Sequence, residues 1–237
     1  MKVVELGKNI DEKIVLCLGY FDLMHKGHIN LINKAKEVAK RKNAKLAIFT
    51  FNNDLSKLCA KTPSAYTFQR RVQMYEKLGF EYVVYAEMNE NFKSMGHKEF
   101  LKYIFEKYEI AAIATGAEYR FGKNREGVLK QDDVGNAELI QPLVYMKNGE
   151  ILSSSILKEL LLKGLIEEAN KYLYEPYVVY AKDGQIEGNC ILANGTYLGL
   201  FKGKNVKCKI CDGMLKLDVA NAGEVEIQIV SKLETSE

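Results

Sequence analysis

Ile14-Val15-Leu16-Cys17-Leu18, followed by Gly19-Tyr20-Phe21-Asp22-Leu23-Met24-His25-Lys26-Gly27-His28, decides how this chain is read. Five consecutive apolar residues suit a strand buried on both faces. Beyond His28 the period changes: Leu31, Ile32, Ala35, Val38 and Ala39 fall on one face of a helix. The stretch between is a strand-to-helix turn carrying two glycines and two of the chain's three histidines. A helix N-terminus presents free N–H groups and the positive end of the macrodipole, and so attracts phosphate. Gly27 lets the backbone approach a ligand closely. His25 and His28, three residues apart, can face one phosphate and stabilise charge growing on it under attack.

Downstream, Ala44–Phe51 reads as a second buried strand, and Phe68, Val72, Tyr75 and Leu78 as a helix stopped by Gly79. Tyr82–Tyr85 reads as a strand, and Phe100, Leu101, Ile104, Phe105 and Tyr108 mark a helix. Ile110–Thr115 and Leu139–Met146 read as further strands. Strands alternating with helices imply an α/β domain with a parallel sheet, whose ligand sites lie at the carboxyl ends of the strands. Ser153–Lys163 and Ile166–Tyr174 read as two short closing helices. After Pro176 the pattern becomes all-β, with strand candidates at Tyr177–Tyr180, Ile191–Leu192, Tyr197–Phe201, Val206–Ile210 and Val225–Val230. The expected division is a first domain over 1–176 and a small β domain over 177–237. So small a domain has a marginal core. It is expected to lean on the first domain or a second subunit, and open strand edges would favour a homo-oligomer.

Two more clusters carry chemistry. Thr115-Gly116-Ala117-Glu118-Tyr119-Arg120-Phe121-Gly122-Lys123-Asn124-Arg125-Glu126-Gly127 follows a buried strand. Such a loop can hold a planar ring on an aromatic face and a phosphate on guanidinium, or be a solvated basic loop. Ser153-Ser154-Ser155 with Lys158 one turn later opens a helix. It reads as a simple cap or as a triphosphate clamp.

Composition narrows the classes. A chain of 237 residues holds one or two domains. With 47% hydrophobic and 27% charged residues, it has enough apolar surface to exclude wholesale disorder. No run of about 18 apolar residues exists to span a membrane. Met1–Asp11 holds no apolar core of a secretory signal, so a cytoplasmic location is expected. Five cysteines without framework spacing suit a reducing compartment. Cys208-Lys-Ile-Cys211 has half a zinc spacing, with no second pair. A net charge of +3 is too balanced for a nucleic-acid binder. All five arginines and all three histidines precede Tyr177, so chemistry on an anion belongs there. There is no P-loop motif and no dinucleotide-binding G-x-G-x-x-G.

The three clusters, in this order and spacing, resemble those of the prokaryotic FAD synthetases, the bifunctional riboflavin kinase/FMN adenylyltransferases. Gly19–His28 resembles the family's G-x-F-D-G-x-H-x-G-H, Thr115–Gly127 its V-G-x-D-F-R-F-G-x-x-x-x-G, and Ser153–Lys158 its I-S-S-T-x-I-R. The likeness covers about 1–180, including Glu159–Gly164 and Glu175-Pro176-Tyr177. It implies a Rossmann-like nucleotidyltransferase domain that joins AMP from ATP to FMN, giving FAD and pyrophosphate, with Mg²⁺ carried by the nucleotide. It implies that His25, His28 and Lys158 act in catalysis. It also implies that Gly19, Tyr20, Phe21, Asp22, Gly27, Gly116, Arg120, Ser153, Ser154 and Ser155 bind ATP. Asn52, Glu118, Tyr119, Phe121 and Arg125 would face the flavin. No metal ligand is assigned; Asp22 is open as one.

The chain departs from the family at several points. Leu23 stands for a glycine, Glu118 for Asp or Asn, Lys158 for an arginine and Ser155 for a threonine. Thr50-Phe51-Asn52-Asn53-Asp54 lacks the family's His-Pro. The family's kinase domain is about twice as long and carries P-T-A-N, which is absent here. Residues 177–237 are therefore expected to be a degenerate kinase remnant without riboflavin kinase activity. The alternatives left open are another acceptor (a pantetheine, glycerol or nicotinamide-ribose phosphate) and a non-catalytic flavin- or nucleotide-binding protein.

Overall fold

In the order of the chain, the elements alternate as the apolar runs require. The computed structural model describes residues 1–57, 63–116, 119–142, 146–147, 150–219 and 223–233. Two compact units emerge. The first comprises Met1–Phe21, Gly27–Cys59 and Phe68–Tyr145; the second comprises Asp22–Lys26, Ala60–Thr67 and Met146–Glu237.

The first unit carries β1 (Lys2–Glu5), β2 (Ile14–Leu18), most of α1 (Lys26–Arg41), β3 (Lys45–Phe51), α2 (Phe68–Lys77) and β4 (Tyr82–Ala86). There follow α3 (Glu90–Ser94), α4 (His97–Lys107), β5 (Ile110–Ala114), the short pair β6 (Arg120–Phe121) and β7 (Gly127–Val128), and β8 (Glu138–Ile140). Six strands form one sheet in the order β1-β4-β3-β2-β5-β8, and every pairing in it is parallel. All five residues of β2 are buried, as its unbroken apolar run predicts for a central parallel strand. The inward stripe of α1 is Leu31, Ile32, Ala35, Val38 and Ala39, as the periodicity predicts. From β2 the chain runs outward to β3 and β4, then returns to place β5 on the other flank. The order thus reverses between β2 and β5, and the loops leaving their carboxyl ends border the crevice where such sheets bind ligands.

One reading is corrected here and one strand is added. Lys2–Glu5, unassigned from the sequence, is a strand, pairing along β4. The single strand expected over Leu139–Met146 ends at Ile140, and Met146–Lys147 pairs elsewhere; residues 143–145 lie outside the described ones.

The second unit adds the hairpin β9 (Met146–Lys147) and β10 (Glu150–Ile151), then α5 (Ser154–Leu162) and α6 (Ile166–Asn170). The latter is shorter than its apolar pattern suggests. Strands β11 (Val178–Lys182), β12 (Gln185–Ile186), β13 (Gly195–Phe201), β14 (Lys204–Cys211), β15 (Met214–Leu217) and β16 (Glu224–Leu233) follow. They close into a barrel in the order β11-β12-β15-β14-β13-β16. Asp183-Gly184, Lys202-Gly203 and Asp212-Gly213 all have positive φ, between 49° and 84°. That is the twist that two-residue hairpins need, and it places glycine second. Closure removes the open edges expected of this domain. Its core is continued by α5 and α6: Leu157, Leu161, Ile166 and Ala169 cluster with Tyr197, Ile210, Ile227 and Ile229. Asn170 ties α6 to the barrel, accepting from Tyr177 N at 2.9 Å and donating to Ile229 O at 2.8 Å. Ile191–Leu192, expected as a strand, is a buried loop. Cys208 faces the barrel interior and Cys211 the outside of β14, so they share no zinc site.

Candidate active site

The motif that opened the sequence is divided between the units: Gly19, Tyr20, Phe21, Gly27 and His28 belong to the first, and Asp22 to Lys26 to the second. In the first unit, the backbone leaves β2 and turns sharply. Gly19 N reaches back to Phe49 O at 3.4 Å. A Cβ on Gly19 would meet the Phe21 ring at 2.6 Å, so only glycine fits. Phe21 takes φ 47°, a strained conformation for an aromatic residue. The turn is held by its carbonyls. Tyr20 O accepts from Thr50 Oγ1 at 3.1 Å, Tyr75 Oη at 3.1 Å and Arg71 Nη1 at 3.4 Å. Arg71, 1% exposed, also donates to Thr50 Oγ1 at 2.9 Å and Phe51 O at 2.7 Å. Its guanidinium lies 4.3 Å from the Tyr20 ring centroid. The Phe21 ring then stands edge-on to His28, with centroids 4.9 Å apart. Arg71 escaped the sequence reading, and Thr50 and Tyr75 entered it only as a strand end and a helix position. The signal was an arginine on the inward stripe of α2, at the spacing Phe68, Arg71, Tyr75, Leu78.

Around the same sheet edge, Asn53 ties its strand end to the next loop. Its amide donates to Met88 O at 2.8 Å and its oxygen accepts from Met88 N at 3.0 Å. Tyr20 Oη donates to Asn53 O at 3.0 Å. Neighbouring Asn52 is exposed. In the second cluster Gly116 and Arg120 are exposed, as is Arg125, which has φ 57°. Tyr119 is half-buried and stacks on Phe121 with centroids 5.7 Å apart. Burial pushes the Tyr119 phenol upward, against the opposing pull of Arg125. Phe121 itself is buried against Phe100 and His97. Glycine is required at 122 and 127 because a Cβ there would meet His97 at 2.6 and 2.4 Å. Glu118 lies outside the described residues.

In the second unit, Asp22 and Lys158 form a buried ion pair. Lys158 Nζ is 2.6 Å from Asp22 Oδ2, with side chains 7% and 2% exposed, and it donates to Pro63 O at 2.7 Å. Asp22 also accepts from Ala65 N at 2.7 Å and Tyr66 N at 3.1 Å. Leu23, where the resembled motif has glycine, is buried in the same core as Leu157 and Leu161. Its side chain therefore anchors the segment. His25 is 5% exposed and bridges to Leu173. On either side, Met24 O accepts from Tyr174 N and Lys26 N donates to Tyr172 O. Ser153 caps α5, its hydroxyl accepting from Ile156 N at 3.4 Å. Ser154 is half-buried and Ser155 exposed at that helix start.

Among the described residues no group of three or more His, Cys, Asp or Glu could hold a metal ion. Asp22, engaged by an ammonium and two amides, does not fit a metal ligand. No described helix is long and apolar enough to cross a membrane.

A family model described as FAD synthetase matches residues 7–153. The chain is similar to the bifunctional riboflavin kinase/FMN adenylyltransferase of Bacillus subtilis (strain 168), 28% identical over 179 residues. That match covers 73% of this chain and 57% of that one, so the chain spans little more than half the length of this relative. It is also similar to the FAD synthetase of Listeria monocytogenes serovar 1/2a, 21% identical over 251 residues, covering 92% of this chain and 96% of the other. Among solved structures, the macrolide-efflux protein from Streptococcus pneumoniae superposes with a TM-score of 0.82 at 17% identity, covering 98% of this chain and all of that one. At that identity the likeness speaks for the fold alone.

Proposed function

Because the chain belongs to the FAD synthetase family, we propose that it transfers AMP from ATP to FMN, forming FAD and pyrophosphate. The observation that carries this reading is the Gly19–His28 turn. It leaves β2 where the sheet order reverses, within the stretch the family model matches. In the proposed reaction a phosphate oxygen of FMN attacks the α-phosphorus of ATP. The new P–O bond forms as the bond to the bridging oxygen breaks, and pyrophosphate leaves with the electron pair. No covalent intermediate is needed; catalysis is positioning and charge stabilisation.

His25 and His28 supply donors to the charge that develops on the phosphates, and the N-terminal end of α1, with Gly27, adds the positive end of its dipole. The start of α5, with Ser153, Ser154 and Ser155, serves the outer phosphates. Gly19, Tyr20, Phe21, Gly116 and Arg120 surround the nucleotide. Tyr119 on Phe121 offers a flat aromatic face to the flavin, with Arg125 and Asn52 as its polar contacts; Glu118, outside the described residues, is proposed for the same role on its sequence position alone. Mg²⁺ enters with ATP, as part of the substrate, because magnesium keeps its waters and binds phosphate oxygens.

We further propose that residues 177–237 carry no riboflavin kinase activity; the lack of P-T-A-N supports this. The test is a chromatographic assay of the purified protein with Mg²⁺-ATP and either FMN or riboflavin. FAD from FMN with no FMN from riboflavin is the expected result. FMN from riboflavin would place a kinase site in the barrel. No product from either would leave ATP transfer to a different acceptor phosphate, to be found by screening.

A further inference from the structure

We propose that Lys158 is a positioning residue. Through the Asp22 carboxylate it fixes the 22–26 segment that carries His25, and it does not itself grip the outer phosphates of ATP. This inference rests on the adenylyl-transfer reading of the site.

Lys158 stands where an approach to phosphate would be expected, one turn into α5, yet its ammonium is already engaged. It lies 2.6 Å from Asp22 Oδ2 and 2.7 Å from Pro63 O, with 7% of the side chain exposed. An ammonium has three donors, and these contacts take two of them. To reach a phosphate, the group would have to leave a carboxylate that is almost wholly buried, and an unpaired buried carboxylate is strongly disfavoured.

The pair sits at a junction of three segments. Asp22 opens the 22–26 segment, Ala65 and Tyr66 give it their amides, and Lys158 reaches it from α5 while holding Pro63. The other end of 22–26 is fixed separately. Met24 O accepts from Tyr174 N, Lys26 N donates to Tyr172 O, and His25 itself bridges Leu173. Leu23 is buried between the two anchorages. His25 is therefore held on a strap of five residues tied at both ends, and Lys158–Asp22 is the electrostatic tie. A lysine suits that task because its point charge meets one carboxylate oxygen. An arginine fork also pairs with a carboxylate, so it can keep the same tie.

The experiment compares Lys158→Met, Asp22→Asn, the double variant and Lys158→Arg in the full chain. FAD formation gives kcat and KM. Titration calorimetry with a non-hydrolysable ATP analogue gives affinity without turnover. NMR hydrogen exchange follows the Ala65 and Tyr66 amides. Each single variant is expected to lower kcat about 10–100-fold by displacing His25. The analogue affinity should change less than about threefold, and Lys158→Met should speed exchange at Ala65 and Tyr66. The double variant should be no worse than the worse single one, since the same pair is broken once. Lys158→Arg keeps a cation that can pair with the Asp22 carboxylate, is the variant to read if the methionine variant does not fold, and should recover kcat to within about tenfold of wild type.

Three results would overturn the proposal. They are a loss of analogue affinity of tenfold or more in Lys158→Met with Ala65 and Tyr66 still protected, effects that multiply in the double variant, and failure of Lys158→Arg to recover kcat while folded. A wild-type protein that forms no FAD overturns the adenylyl-transfer reading instead. Exchange at Ala65 and Tyr66 then still reports on the tie, so the two failures are told apart.

Discussion

Arg71 and Lys158 are both buried cations beside the same sequence motif, one in each unit, and they are held by different chemistry. Arg71 spreads its fork over a hydroxyl and two carbonyls that end β2 and β3. Lys158 meets a carboxylate and one carbonyl. The first fixes the turn that leads to Phe21 and its edge contact with His28; the second fixes the strap that carries His25. The comparison teaches that two histidines three residues apart need not share a support. A delocalised cation suits several weak acceptors in different directions, whereas a compact one suits a single strong acceptor.

The comparison can be broken in several ways. His25→Ala and His28→Ala should each lower kcat for FAD formation by about 10²–10³, with the urea midpoint nearly unchanged for His28, which is half-buried. If only one matters, the two supports do not serve one reaction. Asp22→Ala leaves Lys158 as an unpaired buried charge and should cost about 3–5 kcal/mol in urea unfolding. Arg71→Met should cost about 2–3 kcal/mol, because it strands acceptors whose charge-assisted bonds are worth about 1.5–3 kcal/mol each. Arg71→Lys keeps the charge but loses the fork, and should recover no more than about half of that. A loss for Asp22→Ala smaller than for Arg71→Met would refute the view that the carboxylate pair is the more demanding support.

The smallest effect compares the cores of the two units. Burial pushes the Cys17 thiol up to about 12 and the Cys208 thiol up to about 11. Burial disfavours the thiolate, so at pH 8 both should resist iodoacetamide while exposed Cys211 reacts. Labelling of Cys208 at a rate near that of Cys211 would show that the barrel opens far more readily than the sheet.

Much of this was legible in the chain. The run Ile14–Leu18 and the stripe Leu31, Ile32, Ala35, Val38, Ala39 are dictated by period and burial, and both appear as read. Lys2–Glu5 escaped because a short edge strand with charges at both ends lacks an apolar run. Ile191–Leu192 misled because two buried apolar residues read alike in a loop and in a strand. At the site, the histidines, the capping serine and the loop glycines were visible as residue types with local roles. Arg71 and the partner of Lys158 were not, because their meaning depends on acceptors far away in sequence: 51 residues for Arg71 to Tyr20, and 95 for Lys158 to Pro63. Leu23 likewise reads as a lost glycine until its burial with α5 gives it a packing role.

The strap carries a consequence for biosynthesis. Its supports come from residues made much later: Tyr66 Oη accepts from Val178 N across 112 positions, and Ser64 O from Asn189 across 125. At roughly 5–20 residues per second, a ribosome needs on the order of ten seconds to close that interval. Until then His25 has no fixed setting, whereas the turn held by Arg71 can form once α2 has emerged. A nascent chain therefore sets its two histidines in sequence, His28 first and His25 only after Lys158 and Tyr172–Tyr174 have followed.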